Sequence, residues 1–217
     1  MFAGMPDPIL LIVGLSVLSL APFVVIMTTC FVKLVVVFSL VRNALGLQQI
    51  PPNLVINGLA VILTFFIMAP VASDIYDIAK AEDYSDMSLG KAMGILDKVK
   101  EPWREFLERH AEKEVRVFFL KSAKTLWPPE KSEGLTTEDL VVLIPAFTVS
   151  ELSQAFRIGF LLYLPFVAID LIISNLLMAM GMMMVSPMTI SLPFKLMLFV
   201  ALEGWLELIE GLILTYK

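Results

Sequence analysis

The strongest constraint on this chain is a long uncharged segment near its start. From Pro8 to Val32, 25 consecutive residues include no Asp, Glu, Lys or Arg, and most of them are apolar. About 20 apolar residues are enough to cross the hydrocarbon core of a bilayer. The segment therefore predicts a first membrane helix. Because no Lys or Arg precedes it, it lacks the basic start of a cleavable signal peptide, and we expect it to stay in the mature protein.

A second apolar segment follows two basic residues, Lys33 and Arg42. Pro51 and Pro52 predict a break, and the residues after them predict a second helix from Leu54 to about Val71. Positive charge near the ends of membrane helices favours the cytoplasm. The connection that carries Lys33 and Arg42 is therefore expected inside, and the segment after the second helix outside.

The charged residues are concentrated in one central segment. Residues 74–139 hold 26 of the 37 charged residues (16 basic and 21 acidic), which predicts a water-facing insert. A short helix is expected from Leu89 to Val99, and a longer one begins near Pro102, a residue suited to a first helical turn. The longer helix ends at Trp127-Pro128-Pro129. The residues that mark its apolar face at helical spacing are Trp103, Phe106, Leu107, His110, Val115 and Phe118.

The remaining apolar sequence, residues 140–217, is interrupted by prolines and ionisable residues, and therefore predicts broken helices. A charged group costs about 2.5–3.5 kcal/mol at the centre of a bilayer, so we expect these groups to face protein or water. The prolines are Pro145, Pro165, Pro187 and Pro193, and the ionisable residues are Glu151, Arg157, Asp170, Lys195, Glu203, Glu207 and Glu210.

Taken together, these segments predict an all-α integral membrane protein with about four hydrophobic helical segments. We divide it into N-terminal membrane helices (1–73), a polar helical insert expected in the periplasm (74–139), and a C-terminal part (140–217). With 58% hydrophobic residues and a mean hydropathy of +0.85, the chain is too apolar for an ordinary soluble domain. Its net charge of −5 belongs mostly to the central segment, so neither tail looks like a nucleic-acid-binding arm and no nucleic-acid partner is expected.

Residues that could carry chemistry are scarce. Cys30 is the only cysteine and His110 the only histidine, and no nucleotide-binding, metalloprotease or serine-hydrolase motif occurs. We therefore predict no catalytic residue, no metal and no cofactor. Cys30 is expected to be buried, with a lipid-anchored cysteine as the rival reading. His110 is expected to pack between helices.

Two patterns leave alternatives open. Residues 178–184 read MAMGMMM, and Gly181 and Pro187 bracket the methionine triplet with residues that break helices, which predicts a loop. The run is either general apolar filler or a deformable seal, because flexible thioethers can repack around changing shapes. Glu203, Glu207 and Glu210 are spaced to share one helix face, which is either solvated or paired with cations of neighbouring subunits. Lys195 and Arg157 are local candidates for such cations.

Two blocks of sequence resemble a known family. Residues 31–53 read FVKLVVVFSLVRNALGLQQIPPN, and residues 145–205 read PAFTVSELSQAFRIGFLLYLPFVAIDLIISNLLMAMGMMMVSPMTISLPFKLMLFVALEGW. Both are similar to the FliP family of type III secretion export-apparatus subunits, called SctR, YscR or SpaP in injectisomes. Glu203 differs from the Asp that the family pattern leads us to expect before Gly-Trp, but it keeps the carboxylate. The wording SLVRNALGLQQIPPN and the missing signal peptide favour the injectisome branch, with the flagellar counterpart as the alternative.

The resemblance implies a fold and a function. Five copies would assemble with two other small export-apparatus membrane subunits into a closed pore of bent helical hairpins in the bacterial inner membrane. This pore would conduct unfolded secreted proteins, and Met182, Met183 and Met184 would narrow it. We expect Glu151, Arg157, Asp170, Lys195 and Glu203 at subunit contacts or along the conduit. Two rival interpretations come from other functional classes. A self-contained small-solute transporter would need internal repeats and a midplane binding site, and the sequence shows neither. An intramembrane enzyme would need a nucleophile with a base or a set of metal ligands, which a single histidine in the polar insert does not supply.

Overall fold

A computed structural model describes residues 8–47, 50–82 and 89–217 of the chain. In these ranges the regular structure is helical. The helices are α1 (Pro8–Met27), α2 (Phe31–Ala44), α3 (Asn53–Ala81), α4 (Leu89–Val99), α5 (Glu101–His110), α6 (Lys113–Leu126), α7 (Pro129–Ser132), α8 (Leu140–Ala179), α9 (Pro187–Ala201) and α10 (Gly204–Leu214). Residues 1–7 of the predicted N-terminal segment, Gln48 and Gln49 of the first family block, and residues 83–88 of the predicted insert lie outside the described residues.

Two helices of the described part are long and apolar enough to cross a membrane. They are α3, with 29 residues, and α8, with 40. In each, only 11% of the most apolar 18-residue window is buried inside the chain. The core helix of a soluble protein would be mostly covered by its own chain, whereas these surfaces need lipid or partner subunits. The predicted all-α membrane fold is confirmed.

Helix α2 lies at the centre of the fold. Its residues Leu34, Val37, Phe38 and Val41 recur at helical spacing and are 0–3% exposed. They form one hydrophobic core with residues of α3, α8 and α10. The contact between α2 and α8 is the most extensive between any two helices, so α2 holds together the elements that come before and after the insert.

The first helix was predicted to run from Pro8 to Val32, and its predicted end is wrong. Helix α1 stops at Met27, and α2 begins at Phe31. The break leaves backbone carbonyls without helical partners, and two distant side chains bond to them. Thr148 Oγ1 donates to the carbonyl oxygen of Met27 (3.1 Å), and Trp103 Nε1 donates to that of Thr28 (3.4 Å). Tertiary hydrogen bonds thus stabilise a helix break that no proline or glycine in the sequence predicts.

The predicted second helix ends too early. Helix α3 continues ten residues beyond Val71 to Ala81 and includes Asp74, Asp77 and Lys80. These three side chains are exposed, so their charge does not interrupt the helix. The expected boundary at residues 73 and 74 therefore falls within a helix.

The insert is helical as predicted, and it packs on the membrane helices. Its longer helix is two helices, α5 and α6, because the chain is extended at Ala111, and the Glu112 N–H donates to Ser150 Oγ of α8 (2.9 Å). Phe106 and Leu107 of α5 share a second core with residues of α8, including Phe147. Helix α4 from Leu89 to Val99, Pro102 in the first turn of α5, and the end of α6 before Trp127 agree with the sequence prediction.

Three of the four prolines do not break their helices, contrary to the prediction. Helix α8 continues through Pro145 and Pro165, and α9 through Pro193, whereas Pro187 begins α9. Proline removes one backbone hydrogen bond, but membrane helices tolerate it where their neighbours satisfy the freed group. In the described C-terminal part, the chain turns at the methionine segment between α8 and α9 and again at Leu202 and Glu203 between α9 and α10.

Candidate functional site

The methionine segment forms a defined loop between α8 and α9, which we call the methionine loop (residues 180–186). Gly181 has a φ of 72°, a left-handed conformation that favours glycine. The Gly181 N–H donates to the carbonyl oxygen of Met178 (3.0 Å), and the Met182 N–H to that of Leu177 (2.9 Å). This pair of bonds is the Schellman arrangement that ends many helices. Pro187 then begins α9.

The three consecutive methionines of this loop are uncovered in the single chain. Met182 is 44% exposed, Met183 82% and Met184 99%. Their side chains lie at the turn of the α8–α9 hairpin. An apolar group this exposed in a membrane protein requires a partner outside the chain, such as lipid or other subunits. The sequence predicted both the loop and its residues.

An ion pair between a buried lysine and a partly exposed aspartate joins the two helices of this hairpin. Lys195 Nζ of α9 lies 2.6 Å from Asp170 Oδ2 of α8, and Ser191 Oγ donates to Asp170 Oδ1 (2.6 Å). Lys195 Nζ also donates to the carbonyl oxygen of Ala44 at the end of α2 (3.1 Å). Both carboxylate oxygens are therefore satisfied, and the cation also caps a helix C-terminus. Two predicted charged residues, Asp170 and Lys195, are brought together.

A second ion pair, which is fully buried, joins α2 to α8. Lys33 Nζ lies 2.8 Å from Glu151 Oε1, and both side chains are 0% exposed. Tyr216 donates its hydroxyl to Glu151 Oε2, and Lys33 Nζ lies 4.1 Å from the centre of the Tyr216 ring. Glu151 was predicted to be buried or paired, but its partners were missed. The available signal for this pairing was Lys33 itself, a single lysine within an otherwise apolar stretch of sequence.

The burial of Lys33 removes one of the two residues on which the predicted orientation rested, and the orientation itself stays a prediction. Lys33 lies in the first turn of α2 and is fully buried, so it does not mark a cytoplasmic connection. Arg42 Nη1 donates to Asn53 Oδ1 (2.5 Å) and to the carbonyl oxygen of Pro51 (3.3 Å). Arg42 is thus the one basic residue left for that inference, and it also fixes the connection between α2 and α3.

Two of the predicted charged residues, Arg157 and Glu203, are exposed and have no ion pair within the described part of the chain. Glu203 has a φ of 49° and precedes α10. The three carboxylates Glu203, Glu207 and Glu210 therefore do not share one helix face as predicted, although all are exposed. Because Lys195 is buried against Asp170, Arg157 is the remaining candidate cation for them.

The lone histidine packs against aromatic rings. The His110 ring centre lies 4.7 Å from that of Phe106 and 5.0 Å from that of Tyr216. Burial, followed by the charges of Lys33 and Arg109, lowers the pKa of His110 to about 4. Within residues 8–47, 50–82 and 89–217, no three His, Cys, Asp or Glu side chains are grouped as metal ligands. Cys30 is 0% exposed and belongs to the core around α2, as expected for a structural cysteine.

Comparisons with known proteins agree with the two sequence blocks. Residues 14–212 match the FliP family. The chain is 53% identical over 212 residues to the Yop proteins translocation protein R of Yersinia pestis, with 98% of each protein covered. It is 48% identical over 209 residues to the hypersensitivity response secretion protein HrcR of Ralstonia nicotianae, covering 95% of this chain and 96% of the relative.

A third relative belongs to another pathogen. The virulence protein YscR of Salmonella typhimurium is 47% identical over 209 residues, covering 93% of this chain and 94% of the relative. The family match over residues 14–212 spans the positions of both ion pairs and of the methionine loop. The chain therefore belongs to the FliP family, in the SctR branch of type III injectisome export-apparatus subunits.

Proposed function

We propose that this chain is a pore-forming subunit of the type III secretion export gate in the bacterial inner membrane, and that it conducts unfolded proteins without performing chemistry. The observation that carries this proposal is the methionine loop, in which Met183 and Met184 are 82% and 99% exposed at the turn of an apolar hairpin. In the proposed assembly, five copies and two other small export-apparatus membrane subunits surround one conduit. The chain is multi-pass, and its insert lies on the periplasmic side.

The physical reason for methionine at such a position is its flexibility. An unbranched thioether side chain adapts to irregular apolar surfaces and repacks when its neighbour changes. Thioethers from several copies would close on one another at rest and exclude ions. When an unfolded polypeptide passes, they would deform around side chains of different sizes without requiring a fixed shape.

The surrounding structure gives the loop a firm base. The Schellman turn at Gly181 ends α8. The Asp170–Lys195 pair holds α8 and α9 together and ties both to the end of α2. Separating the two helices would leave the buried Lys195 ammonium without its carboxylate, so this arrangement resists opening of the hairpin. A deformable tip on a rigid hairpin suits a gate that opens and reseals.

The test replaces the three exposed methionines. In the complete secretion system, we expect M182A/M183A/M184A to increase ion leakage across the inner membrane, because alanine leaves the centre of the ring unfilled. A matched control, M178A/M188A/M197A, removes three exposed methionines outside the triplet (54%, 56% and 66% exposed) and should leave leakage unchanged. Unchanged leakage together with normal secretion in the first variant would contradict the role of the loop as a seal.

A further inference from the structure

One exposed stripe of α8 combines a single cation with large apolar groups. Arg157, Phe160, Leu161 and Leu164 are spaced at i, i+3, i+4 and i+7, which places them on one helix face. Arg157 is exposed, and the three apolar side chains are 64%, 60% and 48% exposed. We call this face the Arg157 stripe. A cation within a largely apolar helix calls for a carboxylate partner when that helix is covered by lipid or protein.

In the described part of the chain, the side chains of this stripe stay largely uncovered. Ile158 and Leu162, which directly follow Arg157 and Leu161, line a small groove together with Glu207 and Leu212 of α10. Because successive helical residues point about 100° apart, the Arg157 stripe lies on a different face of α8 from the face that meets its own α10. No ion pair of Arg157 occurs in the described part of the chain, so its partner must come from elsewhere.

A complementary surface lies elsewhere on the same molecule. A groove of about 430 Å³ opens between α2, α8, α9 and α10, and its walls are apolar side chains such as Phe166, Leu198 and Leu208. Of the lining residues, Glu207 alone is ionisable, and its carboxylate is exposed. We call this surface the α10 groove. It offers an apolar recess next to one carboxylate, whereas the Arg157 stripe offers apolar side chains next to one cation.

We propose that the Arg157 stripe of one copy docks in the α10 groove of the next copy, with Arg157 paired to Glu207. The inference rests on the proposed function, since it assumes a ring of this chain, and it specifies the two faces that meet. The stripe and the groove are different surfaces of the same molecule. Contacts between two such surfaces are head-to-tail and close into a ring when the rotation between copies permits. Guanidinium and carboxylate groups pair through charge-assisted hydrogen bonds, which set the register of the contact.

The first test is crosslinking between copies in assembled complexes. R157C and E207C are introduced together and treated with a short bis-maleimide reagent, which should produce a ladder of linked copies on denaturing gels. The native Cys30 is 0% exposed and will not react. The control pair is L152C with E207C, because Leu152 is partly exposed (38%) and lies on another face of α8. Either single cysteine variant should give no ladder.

The second test exchanges the two charges. R157E or E207R alone should lower the yield of assembled complex about tenfold, since like charges then face each other in a desolvated contact. R157E with E207R should restore most of the yield. E210R is the matched control, because Glu210 is exposed but does not line the groove, and its yield should equal that of the unmodified chain.

The outcomes separate this inference from the proposed function. If the purified complex has the mass of several copies but shows no ladder and no rescue by the double charge exchange, the docking proposal is overturned while the gate survives. A lipid bound in the groove would give that same result. If the chain extracted from the intact secretion system has the mass of a single copy, the proposed ring itself is overturned.

Discussion

At the scale of single residues, the protein contains a fully buried ion pair. Lys33 and Glu151 are each 0% exposed and 2.8 Å apart, and Tyr216 bonds to the second carboxylate oxygen. Such a pair needs complete hydrogen bonding, because the cost of desolvating two ions is large. The pair therefore specifies how α2 meets α8 more than it adds to overall stability.

The expected effect of breaking this pair follows from that cost. Glu151→Gln keeps the shape but leaves Lys33 as an unpaired buried cation, and we expect a loss of about 3–5 kcal/mol in the free energy of unfolding. Thermal unfolding of the detergent-extracted protein measures the loss. The control is Glu210→Gln, which changes an exposed carboxylate and should have little effect. Equal melting temperatures for the two variants would contradict the importance of the pair.

At the scale of elements, the fold depends on how closely α2 and α8 approach. A Cβ atom added at Gly159 of α8 would lie 2.2 Å from Leu40 Cδ1 and 3.1 Å from Leu40 Cβ. Real Cβ atoms essentially never lie as close as 2.2 Å, so Leu40 Cδ1 would have to rotate away, and Leu40 Cβ would have to shift by a few tenths of an ångström. Glycine at this position therefore allows α2 and α8 to pack closely.

Alanine at this position is therefore expected to destabilise the chain. Gly159→Ala should cost about 1–3 kcal/mol in the free energy of unfolding, the usual range for overpacking a close contact. Gly58→Ala is the matched control, since Gly58 lies within α3 with no atom within 4 Å of an added Cβ. There alanine should gain up to about 1 kcal/mol through its higher helix propensity. Urea or thermal unfolding in detergent compares the two, and a stabilising Gly159→Ala would refute the close contact.

At the scale of the whole molecule, the polar insert packs directly against the membrane helices. His110 and Phe106 of α5 pack on Tyr216, which bonds to Glu151 of α8. Ion pairs join the insert further, because Arg104 contacts Glu101 within α5 and Glu138 just before α8. The Arg104 guanidinium holds the pKa of Glu101 below its usual range. His110 of the insert therefore lies next to the ring of Tyr216, a residue that also contacts both members of the buried Lys33–Glu151 pair.

The pH dependence of stability tests this connection. Burial lowers the pKa of His110 to about 4 in the folded chain, whereas in the unfolded chain its pKa is the ordinary value of 6.5. Between these values the unfolded chain binds more protons, so the free energy of unfolding should fall as the pH decreases from about 6.5 to about 4. His110→Phe keeps an aromatic ring without a titrating group. Its stability profile should be flatter in this window, and an unchanged profile would show that His110 does not contribute.

The sequence alone determined the class of the protein and the loop that carries its proposed function. Uncharged runs of membrane length, one charged insert and the MAMGMMM segment depend on composition and local conformational preference, which act over a few neighbouring residues. The ends of helices were less predictable. Proline at 145 and 165 was expected to break α8, and charge at 74 was expected to end α3. Yet α8 continues through both prolines, and α3 continues through Asp74, whose side chain is exposed.

Only the tertiary structure decided which charges meet. Lys33 and Glu151 are more than a hundred positions apart, and Lys195 bonds to the carbonyl of Ala44 across a similar separation. The break between α1 and α2 likewise depends on Trp103 and Thr148, which no local pattern connects to it. Hydrogen bonds and ion pairs are short-range in space but not in sequence. Their partners are therefore fixed by how the helices pack, and helix packing was not readable from the order of the residues.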